Sequence, residues 1–92
     1  MSSDLVHASP DDVRKLAAAL ERYERDVLAI TKQAKTAIDR ANWHDPQKDR
    51  FVARFNDFQK RTNSFMGGEV RQMSRGLRKL AEHLDRARNM RI

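Results

Sequence analysis

The sequence predicts an all-α fold: an antiparallel hairpin of two long helices that dimerises into a four-helix bundle. Two proline-marked helix starts divide the 92 residues, and apolar residues recur at helical spacing in both halves. No segment alternates apolar and polar residues as a half-buried strand would. A chain of this length forms one domain, and without cysteine it has no disulfide with which to brace a small core.

The first helix is expected over residues 10–41. Ser9 is a good N-cap, Pro10 suits the first helical position, and Asp11 and Asp12 favour the positive end of the helix. Apolar residues then follow in strict steps of three and four, at Val13, Leu16, Leu20, Tyr23, Val27, Ile30, Ala34, Ala37 and Ala41. This seven-residue repeat over four heptads is typical of a coiled-coil hairpin.

The bend is expected at residues 42–45 and the second helix over residues 46–88. Asp45 can cap that helix and Pro46 can open it. Its apolar side chains exceed what the slim stripe of Ala, Val and Leu on the first helix can cover. We therefore expect pairing with a second hairpin through Leu16, Leu20, Tyr23, Val27, Ile30, Phe51, Phe55, Phe58, Phe65, Met66 and Met73.

The apolar register of the second helix slips at Gly67 and Gly68. Two glycines weaken a helix interior, so they predict a bend in one long helix or, alternatively, a break that gives a monomeric three-helix fold. We expect the single bent helix. Residues 1–8 are expected to form a flexible arm, and residues 89–92 a frayed tail.

The net charge of +6 is concentrated towards the C-terminus. Basic residues near a helix C-terminus can simply be solvated, but they can also form a docking face for an acidic partner. Nucleic-acid binding is a weaker alternative, because no aromatic side chains lie between the basic residues to stack on nucleobases. A membrane-surface helix over residues 69–91 is a third possibility. The basic C-terminal face consists of Arg71, Arg75, Arg78, Lys79, Arg86 and Arg88.

The sequence shows no signature of catalysis, so we expect a protein that is not an enzyme and has no cofactor or metal. Its three histidines lack the spacing of a metal-ligand pair, and no phosphate-binding loop follows the paired glycines. Residues 1–10 lack the apolar core of a signal peptide, and no apolar run reaches the ~18 residues of a membrane span.

The corner sequence Ala41-Asn42-Trp43-His44-Asp45-Pro46, followed by Phe51 and Phe55, resembles that of the WXG family of Esx-like proteins from type VII secretion systems. The resemblance covers residues 9–84 and rests on the two-helix layout, Trp43 and the early aromatics of the second helix. Asp45 stands where the family has the glycine of Trp-X-Gly. The C-terminal Tyr-x-x-x-Asp/Glu export signal is absent.

This resemblance implies a small helical protein that pairs with itself or with a related hairpin, as a secreted substrate, partner or adaptor. Independently of the resemblance, the single Trp43 at a tight corner is expected to cap the hydrophobic layer or, alternatively, to dock a partner together with His44 and Asp45. The resemblance also implies that an FtsK/SpoIIIE-type ATPase recognises the secreted pair. The expected location is the cytoplasm before export and the exterior afterwards, by a route that needs no signal peptide.

Overall fold

A computed structural model describes residues 8–89, and every regular element in that range is helical. Helix α1 spans Pro10–Arg40, α2 spans Pro46–Phe65, and α3 spans Arg71–Asn89. A π-helical turn at Met66–Val70 joins α2 to α3. The elements form an extended antiparallel hairpin that measures 70 × 21 × 16 Å. The predicted all-α class is confirmed.

Both helix starts use the capping residues that the sequence predicts. The Oγ of Ser9 accepts a hydrogen bond from the backbone N–H of Asp12 at 3.3 Å. The Oδ1 atom of Asp45 accepts two hydrogen bonds, from the backbone N–H groups of Gln47 at 2.8 Å and Lys48 at 3.1 Å. Because the first N–H groups of a helix have no partner inside it, these oxygens fix where α1 and α2 begin.

The bend lies at residues 41–45, one residue earlier than expected. The backbone of Ala41 is extended (φ −64°, ψ 140°), so α1 ends at Arg40. At the other end, α3 continues to Asn89, the first residue of the expected frayed tail. The remainder of that tail, and the expected arm apart from Ala8, lie outside the described residues.

The paired glycines neither break nor end the second helix. They lie in the π turn, where Gly67 and Gly68 have negative φ, and a Cβ added to either would meet no atom within 4 Å. A π turn holds more residues than an α turn. It therefore absorbs the one-residue slip in the apolar pattern, and the helix passes from α2 into α3 without interruption.

The contact between the two arms of the hairpin, here called the seam, differs from the predicted stripe. On α1 the inward residues step through Val13, Ala17, Leu20, Glu24, Val27, Thr31 and Ala34. The predicted stripe shares four of these, but it placed Leu16, Tyr23 and Ile30 inside, and they are exposed. The residue that follows each of them, namely Ala17, Glu24 or Thr31, lies in the seam instead.

The opposite side of the seam consists of Val52, Phe55, Gln59, Thr62, Met66, Val70, Ser74, Leu77, Ala81 and Leu84. Its buried members begin at Met66, and no residue of α2 is buried. Helix α1 accordingly packs closely along α3 and only lightly against α2. Small residues allow the close approach, since Ala17 is 0% exposed and Ala81 is 1% exposed.

Candidate interaction surface

Within residues 8–89, eight large apolar side chains remain exposed, and together they form what we call the apolar face. Their exposed fractions run from 39% at Leu80 to 62% at Ile30. Isolated exposed apolar residues are common, but eight of them at regular spacing are not. The members of the apolar face are Leu16, Tyr23, Ile30, Phe51, Phe58, Phe65, Met73 and Leu80.

The members of this face recur once in every two helical turns. Tyr23 follows Leu16 by seven residues, and Ile30 follows Tyr23 by seven. The same step separates the three phenylalanines, and it separates Met73 from Leu80. Phe65 and Met73 are eight residues apart, but the π turn lies between them and takes up the additional residue. Both rows therefore stay in line along the hairpin.

The side on which the two rows lie follows from the interhelical ion pairs. Arg14 pairs with Asp85, and Glu21 pairs with Arg78. All four residues come directly after a seam residue in the sequence. The residues of the apolar face in α1 and α3 instead come directly before a seam residue, as Leu16 precedes Ala17. Since each ion pair joins the two arms on one side of the seam, the apolar rows share the opposite side.

We call the side that carries the ion pairs the ion-paired face. Arg78 donates to both carboxylate oxygens of Glu21, at 2.6 and 2.7 Å, and Arg14 donates to Asp85 at 2.7 Å. The hydrogen bond from Arg78 lowers the pKa of Glu21 below its ordinary value and raises that of Arg78. These contacts connect α1 to α3 across the seam.

A third ion pair reaches into the seam itself. Arg71 donates to the carboxylate of Glu24 at 2.6 Å, and Glu24 is a buried residue, 8% exposed. The hydrogen bond to Glu24 raises the pKa of Arg71. A carboxylate so close to apolar neighbours needs such a partner, because an unpaired charge there would be costly. Glu24 and Arg71 thus fix the register of α1 against α3.

At the bend, Trp43 is half-buried against the start of α2. Its ring lies 5.8 Å from that of Phe51, with the planes tilted by 40°. The next two residues, His44 and Asp45, are exposed. An open hollow of about 460 Å³ lies over this corner, lined by Trp43, His44, Asp45, Pro46, Lys48 and Asp49.

The predicted interface residues divide into two groups. Leu20, Val27 and Phe55 are half-buried at the seam and Met66 is fully buried there, whereas the other seven lie on the apolar face. Leu80 belongs to that face but was not among the predicted interface residues.

The predicted basic C-terminal face is also divided. Arg71 and Arg78 bind glutamates of α1, so their charges are compensated within the hairpin. The remaining four residues, Arg75, Lys79, Arg86 and Arg88, are exposed. Only part of the expected basic surface is therefore open to a partner.

Residues 8–89 contain no group of three metal-ligating side chains and no helix with the length and apolar character to cross a membrane. The sequence matches no protein family model, no curated protein and no solved structure. The apolar face and the ion-paired face are consequently the two surfaces from which a function can be argued.

Proposed function

We propose that this chain is a non-enzymatic adaptor that acts by pairing with a second helical hairpin through its apolar face, giving a four-helix bundle. The observation that carries the proposal is the choice of residues at the seam. Ala17, Ser74 and Ala81 are buried, while the larger Leu16, Met73 and Leu80 beside them are exposed.

This choice is unfavourable for an isolated hairpin. Turning each helix by about one residue would bury leucine and methionine in place of alanine and serine, and a fully buried leucine contributes about 1.5–3 kcal/mol. The small residues let the two arms approach closely, and the ion pairs hold them in that register. The arrangement gains its stability when another surface covers the large side chains.

The area of the apolar face agrees with this proposal. An aromatic side chain offers roughly 150–250 Å², so eight large side chains of about that size that are half exposed present on the order of 600–1,000 Å². A standard protein interface takes about 800 Å² from each partner. A second hairpin of the same or a related chain has the same length, 70 Å, and supplies a matching elongated surface.

The test is the mass of the protein in solution. Sedimentation equilibrium at micromolar concentration should give twice the chain mass of 10.7 kDa, or a stable complex with a related hairpin. Ile30→Asp with Phe58→Asp should give a monomer of unchanged helicity. Ala29→Asp, on the exposed outer surface of α1, is the matched control and should leave the pairing intact.

Two results would contradict the proposal. One is a wild-type monomer that pairs with no related hairpin. The other is a dimer that persists in the Ile30→Asp, Phe58→Asp variant, because its interface would then lie on some other surface. Helicity measured by circular dichroism separates a loss of pairing from a loss of folding.

The biological setting that we propose is type VII-like secretion, where the pair would be a substrate or a partner of a substrate. The support is the likeness of the bend to that of WXG proteins, together with the exposed His44 and Asp45 beside Trp43. An FtsK/SpoIIIE-type ATPase domain is the corresponding partner, and the route would lead from the cytoplasm to the exterior. Trp43→Ala should abolish capture of that domain while dimer mass stays unchanged.

A further inference from the structure

The +6 charge is unevenly distributed between the two faces. Four exposed basic residues, Arg25, Lys32, Lys60 and Arg75, form no ion pair with any other described residue. All four lie along the ion-paired face, near its middle. We call this set the basic strip.

Helical spacing places the α1 members of the strip on that face. Arg25 follows Glu21 by one helical turn, and its charge contributes to the low pKa of Glu21. Lys32 follows Arg25 by seven residues, so it lies on the same side two turns further along.

The same reasoning applies to the second arm. Arg75 lies one turn after Arg71 and one turn before Arg78, and both of these bind glutamates of α1. Lys60 precedes Gly67 by seven residues, and Gly67 precedes Arg71 by four. The fifteen residues from Lys60 to Arg75 set the length of the strip at about 22 Å.

Acidic residues lie at both ends of the strip. Beyond Arg78, towards the open end of the hairpin, lies Glu82, and towards the bend lies Asp49; neither forms an ion pair with another described residue. A long polyanion that continued past the strip would meet these carboxylates and be repelled. The ligand that fits is therefore negatively charged and no longer than about 22 Å.

We propose that the basic strip binds an acidic α-helical segment of a partner protein, about four turns long. Such a helix carries carboxylates on one face at every third or fourth residue, and 15 residues span about 22 Å. Double-stranded DNA fits less well. The hairpin, at 21 × 16 Å in cross-section, is too wide for the roughly 12 Å major groove. The strip also has no aromatic side chain on which a base could stack.

Because the strip and the apolar face lie on opposite sides, both can be occupied at once. The binding is expected to depend steeply on salt, since its attraction comes from exposed charges. The binding of an acidic helix does not depend on the pairing proposed above. A monomeric hairpin should bind the acidic helix with the same affinity as a dimeric one.

The experiment measures fluorescence anisotropy of a labelled 16-residue helical peptide with glutamate at every fourth position. At about 50 mM salt the wild-type protein should bind it, and at about 300 mM the affinity should fall at least tenfold. Lys32→Glu with Arg75→Glu should weaken binding at least tenfold, and Lys32→Gln with Arg75→Gln by less.

The control is Lys15→Glu with Arg86→Glu, which makes the same charge change at two exposed residues that lie at least ten residues along the helix from any member of the strip. It should alter the affinity by no more than about twofold. Equal weakening by both charge reversals would overturn the proposal, because it would show attraction to net charge alone. Failure of the wild type to bind, or tighter binding to a 20-base-pair DNA duplex, would overturn it as well.

Discussion

The two halves of the hairpin are held together differently. In the half where α1 faces α3, the seam contains buried small residues, and all three ion pairs that the described residues form between helices join α1 to α3. In the half where α1 faces α2, no residue of α2 is buried, and the described residues form no ion pair between these helices. The second half instead holds Trp43 and the exposed phenylalanines of the apolar face.

Under the proposed pairing, this difference identifies the half that would gain more from a partner. Small side chains such as Ser74 and Ala81 let α3 approach α1 closely enough to exclude water. Near the bend, Phe55 occupies the seam while Phe51 and Phe58 point away from it, so α2 cannot approach α1 in the same way. The α3 half should be the more protected in a single chain, and the α2 half should gain protection on pairing.

The largest expected effect comes from two methionines seven residues apart. Met66 is 4% exposed in the seam and Met73 is 48% exposed on the apolar face. Met66→Ala leaves a cavity and should lower the free energy of unfolding by about 2 kcal/mol or more at every protein concentration. Met73→Ala should have little effect in dilute protein and a growing effect as concentration favours pairing. Urea unfolding at several concentrations measures both.

Equal effects of the two substitutions at low concentration would break the comparison, because Met73 would then belong to the core of the single chain. A Met66→Ala effect that grows with concentration would likewise place Met66 in the intermolecular contact.

The next largest effect is expected from overfilling the closely packed half. Ala81 is 1% exposed, and Ala81→Leu has no space for the added atoms unless α1 and α3 move apart. We expect a loss of about 1–3 kcal/mol in the free energy of unfolding. Hydrogen exchange should show α3 losing protection while α2 changes little.

Ala53→Leu is a suitable comparison, because Ala53 is exposed on α2. It should change the free energy of unfolding by less than about 0.5 kcal/mol. If both substitutions cost the same, Ala81 does not lie in a closely packed contact between α1 and α3.

Much of this organisation is predictable from the sequence. Ser9-Pro10 and Asp45-Pro46 fix both helix starts because capping and proline geometry act locally. The seven-residue repeat is also a local property of the sequence, and it predicts the hairpin. Which of two adjacent positions faces the seam is not a local property, since Leu16 is more apolar than Ala17 and hydrophobic patterning alone favours the leucine.

The interaction surface was predictable only in part. Surplus apolar residues indicate a second contact, and seven of the eleven predicted interface residues lie on the apolar face. Leu80 also lies on that face, although it was not among the predicted interface residues. The ion pairs of Arg71 and Arg78 are long-range contacts that depend on the register of the folded hairpin, which no spacing within one helix reveals.

A smaller effect, of opposite sign, is expected at the junction of the two halves. A Cβ added at Gly67 meets nothing within 4 Å, and its φ is negative. Gly67→Ala should therefore raise the free energy of unfolding by about 0.5–1 kcal/mol through the unfolded state and helix propensity. Thermal unfolding followed by circular dichroism measures it, and Gly76→Ala within α3 is the matched control, with a similar gain expected. If the alanine substitution lowered the free energy of unfolding at Gly67 but not at Gly76, the π turn would need glycine.

The smallest expected effect is the change in stability when the pH is lowered. The pKa of Glu21 is lowered by its hydrogen bond with Arg78, and the pKa of Asp11 by its hydrogen bond with Arg14. A carboxyl whose pKa is lower in the folded state stabilises that state above its unfolded pKa, here near 4.5 and 3.8. This contribution is lost as the pH falls through the folded pKa. Exposure and salt keep it small.

Lowering the pH from about 5 to 3 should therefore reduce the hydrogen-exchange protection of α3 more than that of α2. The reason is that the three interhelical ion pairs found within residues 8–89 lie in the α3 half. Glu21→Gln should flatten the dependence, because glutamine cannot titrate and forms no ion pair with Arg78. Asp57→Asn, an exposed carboxylate of α2 without an ion pair among the described residues, should leave the dependence unchanged. An equal loss of protection in both helices would show that acid acts on the hairpin as a whole, and that the ion pairs do not distinguish its two halves.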